Sequence, residues 1–447
     1  MCLKLFQSVK IFLVLFALTI LMASCQSMPT TSDQTSVIQS IIAHDEDLST
    51  ITPNKLQSSD DKLAQQNLLS EKDAVLFALN NNASFKALLI DLKLAKADLV
   101  NAGLLPNPEL LYVFGVINKP YKYAIDFPIE ALWLRPIRLR TMKHEAHAVT
   151  YRLTQSGLNL IRDTRIAYAQ TVLAQERVKV LEASYLLRQR ISDLSIKRLA
   201  AGDINGKDIL IAKNDASMAK RDWEISHYDA QLKIEALINL LGTSKKLTNI
   251  QLSPAVIPAC QVLDIDTLLT QSLEQRPDIM AAQFSTNAAK EKIKLSKVGW
   301  FKFIGTADAS SGQPDGRTLG PSIRATIPAF NQNQGGISRA EAELERAELN
   351  LEALRQQAAL EIKSTHLQYQ QSCHDWNVLN EDLMPAIQQT NQLTQQAYAE
   401  GDISYLQTLE ANRQLIDAQM RQVQLKAELV GKWAELMRNF GKKLHGE

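Results

Sequence analysis

The stretch AGDINGKDILIA, at Ala201–Ala212, is a turn followed by an apolar helical segment, and it returns 199 residues later as EGDISYLQTLEA, at Glu400–Ala411. Aligned without a gap, Arg198–Gly242 and Ala397–Gly441 share ten identities in 45 positions, including the glycine of the turn and the last glycine. An internal repeat of this length indicates that one structural unit is built twice. The duplicated turn therefore predicts two copies of a helical hairpin.

The composition favours a mainly helical chain. Of 447 residues only 17 are Gly and 14 are Pro, and aromatic residues make up 6%. The chain is rich in Ala, Leu, Gln, Glu, Lys and Arg, which are good helix formers. The formal net charge of +1 gives no basic excess for binding phosphates, so we expect no nucleic acid partner.

The N-terminus predicts export and lipid attachment. Residues 1–24 combine two lysines with the apolar run IFLVLFALTILMA, which is typical of a signal peptide. The overlapping LMASC, at Leu21–Cys25, resembles the lipobox of bacterial lipoproteins, in which the cysteine is acylated. An ordinary signal peptide or an anchor helix is the alternative. A tether at 25–70 follows, too polar to pack, and Gln26 after the cysteine is typical of lipoproteins sent to the outer membrane.

Two further cysteines, Cys260 and Cys373, lie in the exported chain. In an oxidising compartment they can form a disulfide. Sequence does not show whether their Cα atoms come within bridging distance, so two buried free thiols are the alternative.

Each half of the chain predicts the same order of elements: helix, two strands, long helix, turn, long helix. Stretches without Gly or Pro indicate the long helices, 44 residues at Leu158–Ala201 and 48 at Ile337–Met384. Their apolar residues recur every three or four positions, which is the period of a helix. We expect a first repeat at 71–245, a linker at 246–270 and a second repeat at 271–447. Helical periodicity alone would equally fit a coiled-coil scaffold.

Two short segments in each half predict β-strands, within about 108–127 and about 300–327. A period of two places one set of side chains on a common face. That set is Tyr121, Tyr123, Ile125, Phe127, Ile323, Ala325 and Ile327. Such alternation is typical of outer-membrane barrel strands, so these residues are candidates for contact with lipid. A soluble two-sheet sandwich is the alternative.

Four strands are too few to close a membrane barrel, and an open sheet edge is not tolerated in lipid. The sequence therefore predicts a wall that several chains share. Three chains would supply about twelve strands, enough to enclose a channel.

In the order of these motifs the chain resembles the TolC-type outer-membrane efflux channel family. RLAAGDI at the start of Arg198–Ala212 and YAEGDISYLQTLEA at Tyr398–Ala411 are similar to that family's two helix-hairpin tips. QRPDIMAAQ, at Gln275–Gln283, is similar to the first helix of its second half. LLPNPEL at Leu104–Leu110 and IPAFNQNQGGISRAEAE at Ile327–Glu343 are similar to its junctions between helices and strands.

The resemblance covers roughly Glu71 to Gly441 and departs from the family at Pro136, where members typically have a glycine-containing turn. It implies a mainly α fold with a small β part. Two tandem repeats of helix–strand–strand–long helix–long helix would form a trimeric α-barrel and a shared transmembrane β-barrel of about 12 strands.

The resemblance also implies a function. The homotrimer would be a passive, lipid-anchored duct in the outer membrane, in contact with membrane lipid, with its helical part in the periplasm. It would dock to a periplasmic adaptor and an inner-membrane pump and export drugs or metal ions. No cofactor is implied.

At the tips, the resemblance implies contact with the adaptor by Gly202, Asp203, Ile204, Gly401, Asp402 and Ile403. Helix capping alone is the alternative role: each glycine supplies the freedom that a helix end needs, and Asp203, Asp402 and Ser404 offer oxygens to the amides of the returning helix. Acidic residues near the second tip line the constriction in this family. The candidates for a pore constriction are Glu410, Gln407 and Asp208. A solvated charge on the outer face is the alternative for Glu410.

We expect no enzymatic activity, because the sequence contains none of the motifs G-x-x-x-x-G-K-[ST], G-x-S-x-G, H-E-x-x-H and C-x-x-C. HEAH, at His144–His147, could bind a soft metal. Without a third ligand nearby we expect exposed histidines and no metal site. Two other classes share some features: a periplasmic coiled-coil scaffold would lack the barrel strands, and a membrane-fusion adaptor would have one hairpin and a lipoyl-like β-domain.

Overall fold

The computed structural model describes residues 37–42, 68–115, 121–202, 204–243, 251–313 and 316–440. Most of them are helical, and within these ranges no helix has both the length and the apolar composition that a membrane span needs. The chain forms two compact units, to which both halves of the sequence contribute. The sheet unit contains Asp91–Val149 and Phe284–Glu345, and the helical unit contains Ser36–Ile90, Thr150–Gln283 and Arg346–Glu447.

Several predicted features fall outside the described residues. They are the signal peptide at 1–24, the lipid attachment site Cys25, most of the tether at 25–70, and Asp203 of the first tip. Within the tether, residues 37–42 are helical with Val37, Ile41 and Ile42 buried, and residues 68–69 form a strand. The prediction that the tether is too polar to pack is therefore wrong for these residues, because most of their apolar side chains are buried.

The predicted order of elements is confirmed in both halves. The first half contains strand β1 (Leu68–Leu69), helices α1 (Glu71–Asn81) and α2 (Ala83–Gly103), strands β2 (Glu109–Val113) and β3 (Tyr121–Pro128), and long helices α3 (Glu130–Ala201) and α4 (Gly206–Leu241). The second half contains strand β4 (Gln251–Leu252), helices α5 (Ile265–Gln275) and α6 (Pro277–Val298), strands β5 (Phe303–Gln313) and β6 (Gly316–Ala325), helix α7 (Gln334–Asn377), a π-helical segment (Val378–Leu383), and helices α8 (Met384–Glu400) and α9 (Tyr405–Phe440). Strands β1 and β4 form a separate parallel pair.

The sheet unit is built on one antiparallel sheet with the strand order β2, β3, β5, β6. The hairpins of the two halves join through β3 and β5, where Tyr123 lies opposite Ala309 and Asp126 lies opposite Thr306. Residues that lie directly opposite each other on neighbouring strands point to the same face of the sheet. Alternate residues of β3 therefore lie on an apolar face, which contains Tyr123, and on a polar face, which contains Asp126. The predicted last strand is two residues too long: β6 ends at Ala325, and Ile327 lies beyond it.

Helix α3 begins at Glu130, so Pro136 lies inside the helix near its start. Strand β5 fixes this start, because Glu130 Oε2 accepts the N–H of Phe303 at 3.0 Å and the N–H of Ile129 donates to the Phe303 carbonyl at 2.8 Å. Pro136 removes the hydrogen bond that an N–H at this position would donate to the Leu132 carbonyl. Helix α3 nevertheless continues through the position where the family resemblance predicts a glycine-containing turn.

The prediction of a uniform α-helix at Ile337–Met384 is wrong at its end. Helix α7 stops at Asn377, and the π-helical segment precedes α8, which has Pro385 in its first turn. Proline in a helix cannot donate its hydrogen bond and clashes with the carbonyl four residues earlier, and a wider π turn relieves such a clash. Asn380 of this segment accepts a hydrogen bond from Gln422 Nε2 of α9 at 2.7 Å.

Two tyrosines in the helical unit hold the segment that joins the halves. The Tyr168 hydroxyl lies 2.8 Å from the Leu69 carbonyl and 2.9 Å from the Ser253 carbonyl. Burial raises the pKa of Tyr168 to about 12. The Tyr369 hydroxyl donates to the Ala259 carbonyl at 2.7 Å. In each half, the first long helix after the strands, α3 or α7, is thereby hydrogen-bonded to the linker by one tyrosine hydroxyl.

A disulfide adds a covalent tie at the same place. Cys260 of the linker is bonded to Cys373 of α7, with the Cα atoms 5.7 Å apart. The alternative of two free thiols is therefore wrong. Cys373 belongs to a buried cluster with Ile362, Tyr369, Leu429, Leu436 and Phe440.

Arg276 of the QRPDI motif is fully buried at the centre of a charged cluster. Its Nη2 lies 2.6 Å from Asp278 Oδ2 and 3.0 Å from Glu361 Oε2, and Glu361 also lies 3.1 Å from Arg438 Nη1. Burial opposes the charge of Arg276, but its bonds to Asp278 and Glu361 outweigh burial and raise its pKa. Burial likewise opposes the charge of Glu361, but Arg276 holds the pKa of Glu361 below its usual value.

Removing the disulfide, by replacing both Cys260 and Cys373 with Ser, should destabilise the protein by about 2–5 kcal/mol, because the bond closes a long loop in the unfolded chain. Denaturant unfolding in detergent measures this change. Dithiothreitol should lower the midpoint of the wild type and leave the midpoint of the double variant unchanged. A wild type that is insensitive to the reductant would contradict this contribution.

Acidification should weaken the Arg276 cluster. The folded-state pKa of Glu361 is lowered, so its contribution to stability is present above the unfolded-state pKa and is lost as the pH falls through the folded-state pKa. The denaturation midpoint of Glu361→Gln should therefore fall less between pH 7 and pH 3 than that of the wild type. Glu352→Gln, at an exposed position of the same helix, is the control and should behave as the wild type does.

Candidate functional site

The second tip reverses the chain between α8 and α9 at Gly401. Its φ is +91°, in the left-handed region that favours glycine. The N–H of Asp402 donates to the Ala397 carbonyl at 2.9 Å and the N–H of Gly401 donates to the Tyr398 carbonyl at 3.2 Å. These are the paired hydrogen bonds of a Schellman helix end. The helix end predicted at Gly401 is confirmed.

The first tip uses the same turn with a different cap. Gly202 has a φ of +83°. Helix α4 is capped by Asn205, whose Oδ1 accepts the N–H of Lys207 at 3.0 Å and of Asp208 at 3.1 Å. The sequence predicted this role for Asp203, which lies outside the described residues. Asn205 fills the cap because it directly precedes the helix, at the position that Ser404 has in the second repeat.

The two tips pack against each other within the helical unit. Tyr398 is 4% exposed and forms a cluster with Ile191 and Ala212. Its hydroxyl lies 3.3 Å from Ser195 Oγ. The guanidinium carbon of Arg198 lies 5.0 Å from the centre of the Tyr398 ring, and Arg198 Nη1 donates to the Tyr398 carbonyl at 3.3 Å. A cation over an aromatic face is attracted to it, so Arg198 of the first tip binds the C-terminal end of α8. This contact between Arg198 and Tyr398 is called the clasp below.

The predicted constriction residues lie near the tips but do not bond to one another. Glu410 is exposed and accepts a hydrogen bond from Gln414 Nε2 at 3.2 Å. The side-chain oxygen of Gln407 accepts the N–H of Ser404 at 3.3 Å. Asp208 lies in the first turn of α4. Their role in a pore therefore stays a prediction.

Sequence reasoning missed the clasp formed by Arg198 and Tyr398. Tyr398 aligns with Leu199 of the first repeat, next to positions that are identical in both copies. A tyrosine at a position where the other repeat has leucine indicates such a contact, because a buried tyrosine hydroxyl needs a hydrogen-bond partner and a leucine side chain does not.

The expectation of two exposed histidines in HEAH is wrong for His144. The His144 ring is partly buried with its Nδ1 shielded, 6.0 Å from the Phe284 ring, and His147 stacks on Phe284 at 5.0 Å. In the described part of the chain, no group of three or more His, Cys, Asp or Glu side chains is placed to hold a metal ion.

One face of the sheet is apolar and uncovered within the chain. Tyr121, Tyr123, Ile125 and Phe127 are between 39% and 51% exposed, and Ile323 is 74% exposed. Ala325, at the end of β6, is exposed as well. Among the described residues, β2 and β6 each pair on one side only. The sheet thus combines an exposed apolar face with two open edges, a combination that indicates contact with lipid or further chains.

Comparison with known proteins gives a consistent result. Residues 268–442 match the family model described as outer membrane efflux protein. The chain is 26% identical over 300 residues to the probable outer membrane lipoprotein SilC of Salmonella typhimurium, covering 61% of this chain and 62% of SilC. It is 22% identical over 366 residues to the cobalt-zinc-cadmium resistance protein CzcC of Cupriavidus metallidurans, covering 79% and 85%. The structure of the outer membrane protein VceC of Vibrio cholerae matches with a TM-score of 0.71 at 17% identity, covering 87% of this chain and 98% of VceC.

The match to the outer membrane efflux protein family covers the second half of the chain. The matched range begins within α5, so it contains the second-half strands, the π-helical segment and the second tip. The likeness of fold to VceC extends over 87% of the chain and so includes first-half elements as well. The chain spans about three fifths of the length of SilC.

Gly401→Ala should loosen the second tip. An alanine in the left-handed region costs about 1–2 kcal/mol, and its Cβ would lie 3.0 Å from Arg198 Nη2. Hydrogen exchange of the amides around the turn should become faster. Gly206→Ala, at the start of α4 in open space, is the matched control and should leave exchange unchanged or slower. Equal exchange in the two variants would contradict the assigned geometry.

Proposed function

We propose that this protein is the passive outer-membrane exit duct of a tripartite efflux system. Three chains would form the duct, which docks to a periplasmic adaptor and an inner-membrane pump, and substrate would leave through its bore. The observation that carries the proposal is the four-stranded sheet with one uncovered apolar face and two open edges. The pump supplies the transport energy, so the duct has no catalytic role and requires no cofactor.

The open edges argue for a wall that the chains share. Strand edges expose N–H and C=O groups that lipid cannot satisfy. Pairing β6 of one chain with β2 of the next would satisfy them, and repeating this contact around a ring leaves no edge. Three copies of four strands make about 12 strands, a size that encloses a channel. A periplasmic scaffold without a channel, the alternative function, would leave the apolar face in water.

The strands and the helices would take different positions in the cell. The four-stranded sheet would lie in the outer membrane, with Tyr121, Tyr123, Ile125 and Phe127 toward lipid, and the helical part of the chain would lie in the periplasm. After removal of residues 1–24, acylated Cys25 would add a second attachment through the tether at 25–70. SilC, to which the chain is similar, is described as a probable outer membrane lipoprotein, which supports this attachment.

The two repeats, at 71–245 and 271–447 with a linker at 246–270, would each present one tip to the adaptor. The proposed contacts are Gly202, Asp203, Ile204, Gly401, Asp402 and Ile403. The contact of Arg198 with Tyr398 holds the two tips of one chain together. Near these tips, Glu410, Gln407 and Asp208 are the proposed constriction residues.

Metal ions are the favoured class of substrate, ahead of drugs. CzcC is described as a cobalt-zinc-cadmium resistance protein. CusC of Escherichia coli O157:H7, 27% identical over 300 residues, is described as a cation efflux system protein.

Ile323→Lys should prevent assembly in the outer membrane, whereas Ser322→Lys should not. These neighbours on β6 point to opposite faces of the sheet. A lysine on the lipid face costs up to about 2–4 kcal/mol per chain, and a lysine on the polar face does not carry this cost. Outer-membrane fractions separated by semi-native electrophoresis report the amount of assembled protein. Equal amounts of both variants would contradict the assignment of the faces.

The same pair of variants tests the function in cells. Deletion of the gene should increase sensitivity to salts of the exported metals, and the wild type should restore resistance. Ser322→Lys should restore it too, whereas Ile323→Lys should fail. Resistance in the deletion strain equal to the wild type, over a panel of metal salts and drugs, would contradict a role in efflux.

A further inference from the structure

The polar face of the sheet carries charges of both signs in pairs that cross strands. Lys122 Nζ lies 3.8 Å from Asp308 Oδ2, which links β3 to β5. Arg324 Nη1 lies 4.0 Å from Asp126 Oδ2 and so reaches from β6 across β5 to β3. Thr306 Oγ1 donates to Asp126 Oδ1 at 2.6 Å. The residues Lys122, Asp126, Asp308 and Arg324 are called the charge ladder below.

Stability does not explain the charge ladder. The side chains of Lys122 and Asp308 are 49% and 36% exposed, and those of Arg324 and Asp126 are 70% and 21% exposed. Ion pairs with this exposure contribute little to the stability of a protein, because water screens their charges. Their larger effect is on the local charge, because each cation of the ladder cancels one carboxylate.

The remaining charge on this face is small. Over the strand residues 109–113, 121–128, 303–310 and 320–325, the one charged residue outside the ladder is Glu109. Glu109 lies directly opposite Asp126 and so shares its face. Two cations and three carboxylates leave a net charge of −1 per chain over these residues.

We propose that the charge ladder sets the ion preference of the bore at the level of the sheet. This inference rests on the proposed function, in which the apolar face meets lipid and the polar face lines the channel. Because four of the five charges on these strand residues cancel, this part of the lining carries a weak negative potential. It therefore passes both cations and anions, with a weak preference for cations. Such a lining suits a duct whose substrates are selected elsewhere in the assembly.

Reversal potentials across planar bilayers under a KCl gradient test the proposal. Lys122→Gln doubles the net negative charge and should shift the reversal potential toward the potassium equilibrium value. Asp308→Asn removes the net charge and should shift the reversal potential toward zero. The double variant regains the wild-type net charge and should return to the wild-type potential. All shifts should shrink at high salt, because the Debye length falls from about 10 Å at 0.1 M to about 3 Å at 1 M.

Thr306→Val is the control, since it removes the hydrogen bond to Asp126 without changing any charge and should leave the reversal potential unchanged. Single charge variants that reverse at the wild-type potential would overturn the inference and leave the duct intact. A double variant that does not return to the wild-type value would overturn it as well. A wild type that assembles in the membrane but never conducts would overturn the proposed function, and with it this inference.

Discussion

A strand edge with unpaired N–H and C=O groups cannot remain in lipid, and this constraint decides what the four-stranded sheet can be. The register places Tyr123 and Ile125 on one face and Asp126 on the other, so the sheet is suited to separate lipid from water. One chain supplies two open edges, β2 and β6, and no strand among the described residues covers them. In the proposed duct, other copies of the chain complete the wall. The bore and the ring of tips of that proposal follow from this contact between chains.

Duplication supplies two hairpins with the same turn but different contacts. Gly202 and Gly401 both have positive φ, because each must end a long helix and return the chain at once. Around this shared turn the repeats diverge, since Tyr398 stands where the first copy has Leu199. The second copy also contains the π-helical segment before α8. The tips therefore pack as an unequal pair, with Arg198 of the first holding Tyr398 of the second.

The parts of the fold that follow local rules could be predicted from the sequence. A glycine must end each helix where φ is positive, a period of two defines the face of Tyr121 and Tyr123, and long stretches without Gly or Pro are helical. What could not be predicted depends on contacts distant in the chain. The start of helix α3 at Glu130 depends on a bond to Phe303, and neither the formation of the disulfide between Cys260 and Cys373 nor the contact of Arg198 with Tyr398 follows from a local pattern.

The mass of the detergent-solubilised protein, measured by light scattering with the detergent contribution subtracted, tests the shared wall most directly. Because a single chain cannot close the sheet, we expect a particle with the protein mass of three chains, independent of concentration. A stable particle with the protein mass of one chain would contradict the account, because its sheet edges would then be satisfied without a neighbour.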